Sequence, residues 1–195
     1  MRSVCYSVAA LLFLCSVGCS SSGGGGGGVV ATGIGASFTA SGTASSPDGV
    51  RLTGIASDDM VILDVVISGQ TTSTDLYSFA FDLLLGDPTV VELIGGSVDF
   101  GTALTLSGGQ TGEALATLNG DRITVGVSKL GGGAGNELGA TEETIVSMTF
   151  RVVKLGATSI EITGSSPNDP TALDSTGAVI NSVNFDAAAA TIVGT

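Results

Sequence analysis

The sequence predicts an all-β protein, a two-sheet antiparallel sandwich with about nine strands arranged as a jelly roll. Short runs of alternating apolar and polar residues, rich in Val, Ile and Thr, recur along the chain, and 31 glycines separate them. No window after the N-terminal segment has a convincing 3.6-residue apolar period. Short strands with glycine-rich turns bury their apolar faces by packing as two facing sheets.

The N-terminal segment predicts export and a lipid anchor. Met1-Arg2 precedes an apolar run from Val8 to Val17, which is too short to span a bilayer and fits a signal peptide of residues 1–18. Gly18-Cys19 resembles the cleavage site of bacterial lipoproteins, which implies acylation of Cys19 and a place at the outer membrane or cell surface. Cleavage nearby as an ordinary signal peptide is the alternative. Residues 19–48, with six consecutive glycines, predict a flexible tether, and residues 29–48 are either further tether or a weak first strand.

Residues 49–195 predict the folded domain. Alternation places Val61, Leu63, Val65 and Ile67 on one face of a strand. Asn119-Gly120 predicts a tight hairpin between the strands on either side of it. The apolar pattern also predicts that four residues share the core between the sheets: Phe79, Phe81, Phe150 and Ile160. The predicted strands cover residues 60–68, 77–85, 90–94, 113–118, 122–128, 144–154, 157–163, 183–185 and 188–193.

Composition excludes several classes of function. The net charge of −12 repels phosphate backbones, which argues against nucleic-acid binding. The chain has no His, so catalytic triads and His-ligated zinc are impossible. All three cysteines lie in the first nineteen residues, so the domain has no disulfide. Glu142-Glu143 lies in a predicted loop, where adjacent carboxylates are normally solvated. We therefore expect no enzyme activity and no cofactor.

A polar loop contains the weak candidates for a calcium site. Asn168, Asp169 and Asp174 supply oxygen ligands, but their spacing is not that of an EF-hand. Asx turns around Pro170 explain the same residues without a metal. We therefore predict no metal site.

The order of the strands resembles that of a known family. Tyr77-Ser78-Phe79-Ala80-Phe81 leads to Asp87-Pro88, and Ile145 to Val152 later precedes Gly156. This order resembles the cohesin domain, a nine-stranded jelly roll, over residues 59–193. The resemblance implies a non-catalytic module that pairs with dockerin modules in assemblies that degrade polysaccharides. It also implies partner contacts on the sheet that contains residues 76–85, 113–118 and 122–128.

The predicted partner-binding residues alternate with the inward Phe positions: Leu76, Ser78, Ala80, Asp82 and Leu84. Such a row points outward from a sandwich. It is mostly small or apolar, and an exposed apolar stripe often marks a contact surface. The alternative is that another strand or loop covers the row.

Three functions fit these observations. The first is a lipid-anchored, cohesin-like module that binds a protein, either a dockerin-like module or another partner. The second is a carbohydrate-binding module at the cell surface. The third is a purely structural surface lipoprotein.

Overall fold

The computed structural model describes residues 33–41, 48–68, 75–138, 141–163, 169–185 and 188–195. Eleven strands lie in these ranges: β1 (Ala36–Ser41), β2 (Val50–Ser57), β3 (Met60–Ser68), β4 (Leu76–Leu85), β5 (Val91–Phe100), β6 (Thr111–Asn119), β7 (Arg122–Leu130), β8 (Glu142–Val152), β9 (Gly156–Thr163), β10 (Thr171–Asp174) and β11 (Ala189–Gly194). The described residues form no helix, so the prediction of an all-β fold is confirmed.

The strands form two antiparallel sheets. In the large sheet the order is β1-β11-β9-β4-β7-β6, and β10 pairs with the first half of β4. The small sheet has the order β2-β3-β8-β5. Strand β4 is central to the large sheet, since β7 pairs with one side of it while β9 and β10 share the other. Consecutive strands often lie in different sheets, as in the predicted sandwich.

The core is one cluster of apolar side chains contributed by both sheets. Val61, Leu63 and Val65 are fully buried and lie opposite Phe150, Met148 and Val146 across the β3–β8 pair. The predicted core residues Phe79, Phe81, Phe150 and Ile160 are all buried, so the prediction that they belong to the core is confirmed. Burial of a large apolar side chain contributes about 1.5–3 kcal/mol, so these rows supply most of the driving force for folding.

The hairpin between β6 and β7 is confirmed, and its turn differs slightly from the expected one. Asn119 lies opposite Arg122, so Gly120 and Asp121 form a two-residue loop. Gly120 has a φ of +67°, whereas Asn119 belongs to the strand. A glycine at the first central position is typical of a type II′ turn, which matches the twist of the flanking strands.

Two strands were missing from the predicted set, and a third was only an alternative. Strand β1 lies within residues 29–48, where a weak first strand was the alternative to further tether. It pairs with β11 along its whole length, and the ring of Phe38 lies against Gly54 of β2. Strand β10 arises inside a predicted polar loop, and β2 precedes the first predicted strand.

Two predicted strands also have different extents. The segment 183–185 forms only a bridge between Asn184 and Gly49, although Phe185 packs 6.1 Å from Phe81, measured between ring centroids. Strand β5 continues past the predicted end to Phe100, after a break in its register between Leu93 and Val98.

Candidate functional site

The predicted partner-binding row lies on β4, but only part of it is accessible. Ala80 is exposed, and Ser78 and Leu84 are half-buried. Leu76 and Asp82 are buried, so the expectation that all five face solvent is wrong for these two. Leu76 exchanges backbone hydrogen bonds with Asn136, and the register shift beside it places its side chain in the core. The accessible row is therefore centred on Ala80.

Asp82 is held in place by Arg122. The Nη1 atom of Arg122 lies 2.7 Å from Oδ2 of Asp82, whose side chain is 1% exposed against 35% for Arg122. A charge-assisted hydrogen bond of this kind compensates for removing the carboxylate from water. The guanidinium of Arg122 on β7 thus neutralises the charge of Asp82 and holds its side chain in place on β4.

The strands beside β4 extend the accessible surface into a flat row. Ala80 lies opposite Gly126 of β7, which in turn lies opposite Leu115 of β6. All three are exposed, and Leu115 has 67% of its surface accessible. A side chain placed at Gly126 would meet no atom within 4 Å. The centre of this face is therefore an uncharged shelf, bounded by Leu115, which we call the Ala80–Leu115 shelf.

A depression of about 340 Å³ adjoins the shelf on the side of β10. Its polar lining comes from Asp82, Thr124, Asp169 and Thr171, and its apolar lining includes Leu173. This depression could not be predicted from the sequence, because β10 lies in a segment that has a polar composition. The depression is wide enough for a side chain of a partner, and its carboxylates favour a polar or basic group.

The calcium candidates are engaged in turns. Oδ1 of Asp174 accepts hydrogen bonds from the amides of Thr176 and Ala178 and from the Thr176 hydroxyl. The backbone carbonyl of Asp169 accepts a bond from the Thr171 hydroxyl, and Asn168 lies outside the described residues. No group of three or more His, Cys, Asp or Glu side chains suited to a metal ion occurs in the described ranges.

Asp75 joins two loops next to this region. Its carboxylate accepts hydrogen bonds from the amide of Gly135 and from the amide and hydroxyl of Ser175. These bonds, led by the Ser175 hydroxyl, lower the pKa of Asp75 from its ordinary value of 3.8. The Thr176 hydroxyl and the Ala178 amide similarly lower the pKa of Asp174. Both carboxylates therefore stabilise loop geometry as anions.

A buried lysine holds the loop that follows β7. Lys129 is 1% exposed, and its Nζ donates a hydrogen bond of 3.1 Å to the carbonyl of Ala134. The same Nζ lies 6.0 Å from the centroid of the Tyr77 ring, and the Tyr77 hydroxyl donates to the carbonyl of Gly131. The burial of Lys129 follows from the alternation of the strand, because Lys129 continues the inward positions of Val125 and Val127.

Glu142 and Glu143, the adjacent acids considered for catalysis, begin β8, so the prediction that they lie in a loop is wrong. Glu142 accepts a hydrogen bond of 2.6 Å from Nε of Arg51. Cys19, the signal segment and the glycine run lie outside the described residues. Among the residues that are described, none belongs to a helix long and apolar enough to cross a membrane.

Comparison with known proteins gives structural similarity only. No protein-family model matches the sequence, and no curated protein matches it significantly. A type II cohesin domain from the cellulosome of Acetivibrio cellulolyticus is similar, with a TM-score of 0.48, 12% identity, and coverage of 73% of this chain and 91% of that chain. The type II cohesin A11 from Bacteroides cellulosolvens has a TM-score of 0.46 at 17% identity, covering 68% and 90%.

A cohesin module from a family 33 glycoside hydrolase of Clostridium perfringens is similar as well. Its TM-score is 0.44 at 12% identity, with 83% of this chain and 96% of that chain covered. These solved structures, to which the chain is similar, are all cohesin modules.

Proposed function

We propose that this protein is a non-catalytic binding module of the cell envelope whose partner is another protein. The observation that carries the proposal is the Ala80–Leu115 shelf, an uncharged and exposed row across three strands of the large sheet. A sheet face in contact with water usually carries charged side chains, and a flat apolar row on such a face is typical of a contact surface.

The surroundings of the shelf support a protein partner. Leu115 supplies an exposed apolar anchor, and the depression beside Ala80 supplies polar groups at the rim. An apolar centre with a polar rim is the usual anatomy of a protein interface. The rigid Asp82–Arg122 pair keeps the central strand fixed, so little ordering is needed when a partner binds.

The sequence resemblance gives the partner a chemical class. It implies a dockerin-like module, and the implied contact surface is the same sheet. The accessible positions here are Ala80, Gly126 and Leu115, with Ser78 half-buried. We propose that these residues select the partner by shape and apolar contact more than by charge.

The test uses two glycine-to-arginine variants that differ only in location. Gly126→Arg places a long charged side chain on the shelf, where a Cβ atom meets nothing within 4 Å. Gly95→Arg is the matched control, because Gly95 is equally open and lies on β5 of the small sheet. We expect the wild type and Gly95→Arg to capture a common protein from the native cell surface, and Gly126→Arg to lose it while its circular dichroism spectrum is unchanged.

Equal capture by all three proteins would show that the contact lies elsewhere. A panel of dockerin modules, tested by calorimetry, decides whether the captured partner belongs to that class. A glycan array run on the same variants examines the carbohydrate alternative: sugar binding lost only in Gly126→Arg would replace the protein partner with a polysaccharide.

We also propose that the module is anchored by lipid on Cys19, after removal of residues 1–18. The support is the Gly18-Cys19 sequence at the end of an apolar run. Two or more acyl chains anchor a protein stably, since each buried CH₂ contributes about 0.8 kcal/mol. Mass spectrometry of the N-terminal peptide is expected to show the acyl groups, and an unmodified Cys19 would contradict the anchor.

A further inference from the structure

Strand β6 is an edge strand without the usual protection. Within the described residues it pairs with β7 only, and the nine residue pairs between them run without a register break. Its sequence from Thr111 to Asn119 has one charge, Glu113, and no proline. Edge strands normally carry lysines, prolines or bulges that prevent another strand from pairing with them. An open, regular edge of this length is therefore suited to pairing.

The other edges in the described part of the chain are less open. Strand β5 has a register shift between Leu93 and Val98, with Gly96 at a φ of +77°. The ring of Phe38 from β1 lies against β2 at Gly54, and β1 itself has six residues. Strand β6 thus has the longest regular edge in the described part of the chain.

The turn geometry determines which backbone groups of β6 face outward. Asn119 and Arg122 flank the two-residue loop as a register pair. The residues that flank such a loop form a hydrogen-bonded pair, so the backbone of Asn119 faces β7. The direction of the backbone groups alternates along a strand. The amides and carbonyls of Gly112, Ala114, Ala116 and Leu118 therefore point to the free edge.

We infer that a second copy of this chain pairs with β6 in antiparallel orientation, with the two-fold axis at Leu115. This register overlaps all nine residues of both strands, because Leu115 is the middle residue of Thr111–Asn119. It places Ala114 opposite Ala116 of the copy, and both have outward backbone groups. It also places the two Leu115 residues opposite each other as a non-hydrogen-bonded pair, where side chains approach most closely.

Charge and side-chain size agree with the same register. Glu113 lies opposite Thr117 of the copy, so the two Glu113 carboxylates are four positions apart, about 14 Å along the strand. This separation exceeds the Debye length of about 8 Å at physiological ionic strength. Leu118 lies opposite Gly112 of the copy, where the ring of Phe100 covers the sheet, so Leu118 meets an apolar surface there. A symmetric contact of this kind is the commonest form of a closed dimer. The inference concerns the edge of the sheet and goes beyond the proposed partner-binding face.

The experiment measures the mass of the full chain by analytical ultracentrifugation from micromolar to millimolar concentration. We expect the wild type to approach twice the monomer mass of 19.0 kDa as concentration rises. Leu115→Lys brings two like charges together on the axis and is expected to raise the dissociation constant at least about tenfold. Ile55→Lys is the matched control, because Ile55 is 71% exposed on β2 against 67% for Leu115, and it should dimerise like the wild type.

A second variant and a second measurement address the backbone directly. Ala116→Pro removes one outward amide without removing a bond to β7, so the folded monomer should persist and the dimer should be lost. Hydrogen exchange should show protection of Ala114, Ala116 and Leu118 that increases with concentration. A wild type that stays monomeric to millimolar concentration, or a Leu115→Lys variant that dimerises like the wild type, would overturn the inference.

Discussion

Two carboxylates show how single residues fix the loops beside the shelf. Asp75 has a φ of +64°, and its carboxylate bonds to both Gly135 and Ser175. Asp174 closes its own turn through Thr176 and Ala178. In both cases the hydrogen-bond donors stabilise the charged form and lower the pKa of the carboxyl. The loops consequently depend on ionised acids.

The stability of the protein is therefore expected to fall in acid. A carboxyl with a lowered pKa contributes its full stabilisation above the unfolded value of 3.8, and loses it as the pH falls through the lower folded value. Asp174→Asn should reduce stability at neutral pH and flatten the decline below pH 3.8. Urea unfolding at a series of pH values measures both effects. Thr176→Val removes only the hydroxyl donor and should give a smaller change in the same direction. If stability declines identically at low pH in all three proteins, the Asp174 carboxylate does not stabilise the fold.

Phe150 tests the packing between the sheets. It is fully buried on β8 and lies between Val61 of β3 and Leu93 of β5. Phe150→Ala is expected to cost about 3–5 kcal/mol, through lost burial and the cavity that remains. The free energy of unfolding in urea measures this cost. Ile62→Ala, on the outer side of β3, should change it by less than about 1 kcal/mol, as surface substitutions do.

At the scale of the elements, the sequence predicted the strands whose apolar residues alternate. Strand β3 was predicted with the observed bounds, since apolar residues occupy every second position from Val61 to Ile67. Strand β10 was not predicted, and β1 was only an alternative to the tether, because their residues are mainly small or polar. They become strands through pairing with β4 and β11. The site was predicted only in part for the same reason: long-range pairing determines that Leu76 and Asp82 are buried and that Leu115 is exposed.

The β6–β7 hairpin depends on the backbone freedom of one glycine. Gly120 has a φ of +67°, a conformation that costs about 1–2 kcal/mol for a residue with a side chain. Gly120→Ala is therefore expected to destabilise the protein by about that amount in thermal or urea unfolding. Gly126→Ala is the control within the same sheet, because its Cβ position is open. This control should leave stability unchanged or slightly increased, and equal losses in both variants would show that the turn is not responsible.

At the scale of the whole molecule, the folded unit begins before the predicted boundary. Strand β1 covers β11, and the backbone of Gly35 exchanges hydrogen bonds with Thr195. The two ends of the described domain are thus paired with each other.

Truncation separates the tether from the fold. Deletion of residues 20–28 is expected to leave the melting temperature unchanged, because a glycine run has little apolar surface to bury. Deletion of residues 1–41 removes β1 and should lower the melting temperature by several degrees. A loss of 1 kcal/mol corresponds to about 2–4 °C in a domain of this size. Differential scanning calorimetry measures both changes, and an equal melting temperature in the two truncated proteins would show that β1 adds no stability.

Tyr77 gives the protein a built-in optical reporter. The sequence has no Trp and two Tyr, and the other, Tyr6, lies in the segment predicted to be removed as a signal peptide. The mature domain would then emit through Tyr77 alone. Its hydroxyl donates to the carbonyl of Gly131, and its ring lies beside Lys129. Ultraviolet fluorescence of the unlabelled protein should therefore follow the release of the loop after β7 separately from global unfolding, which circular dichroism of the strands would record.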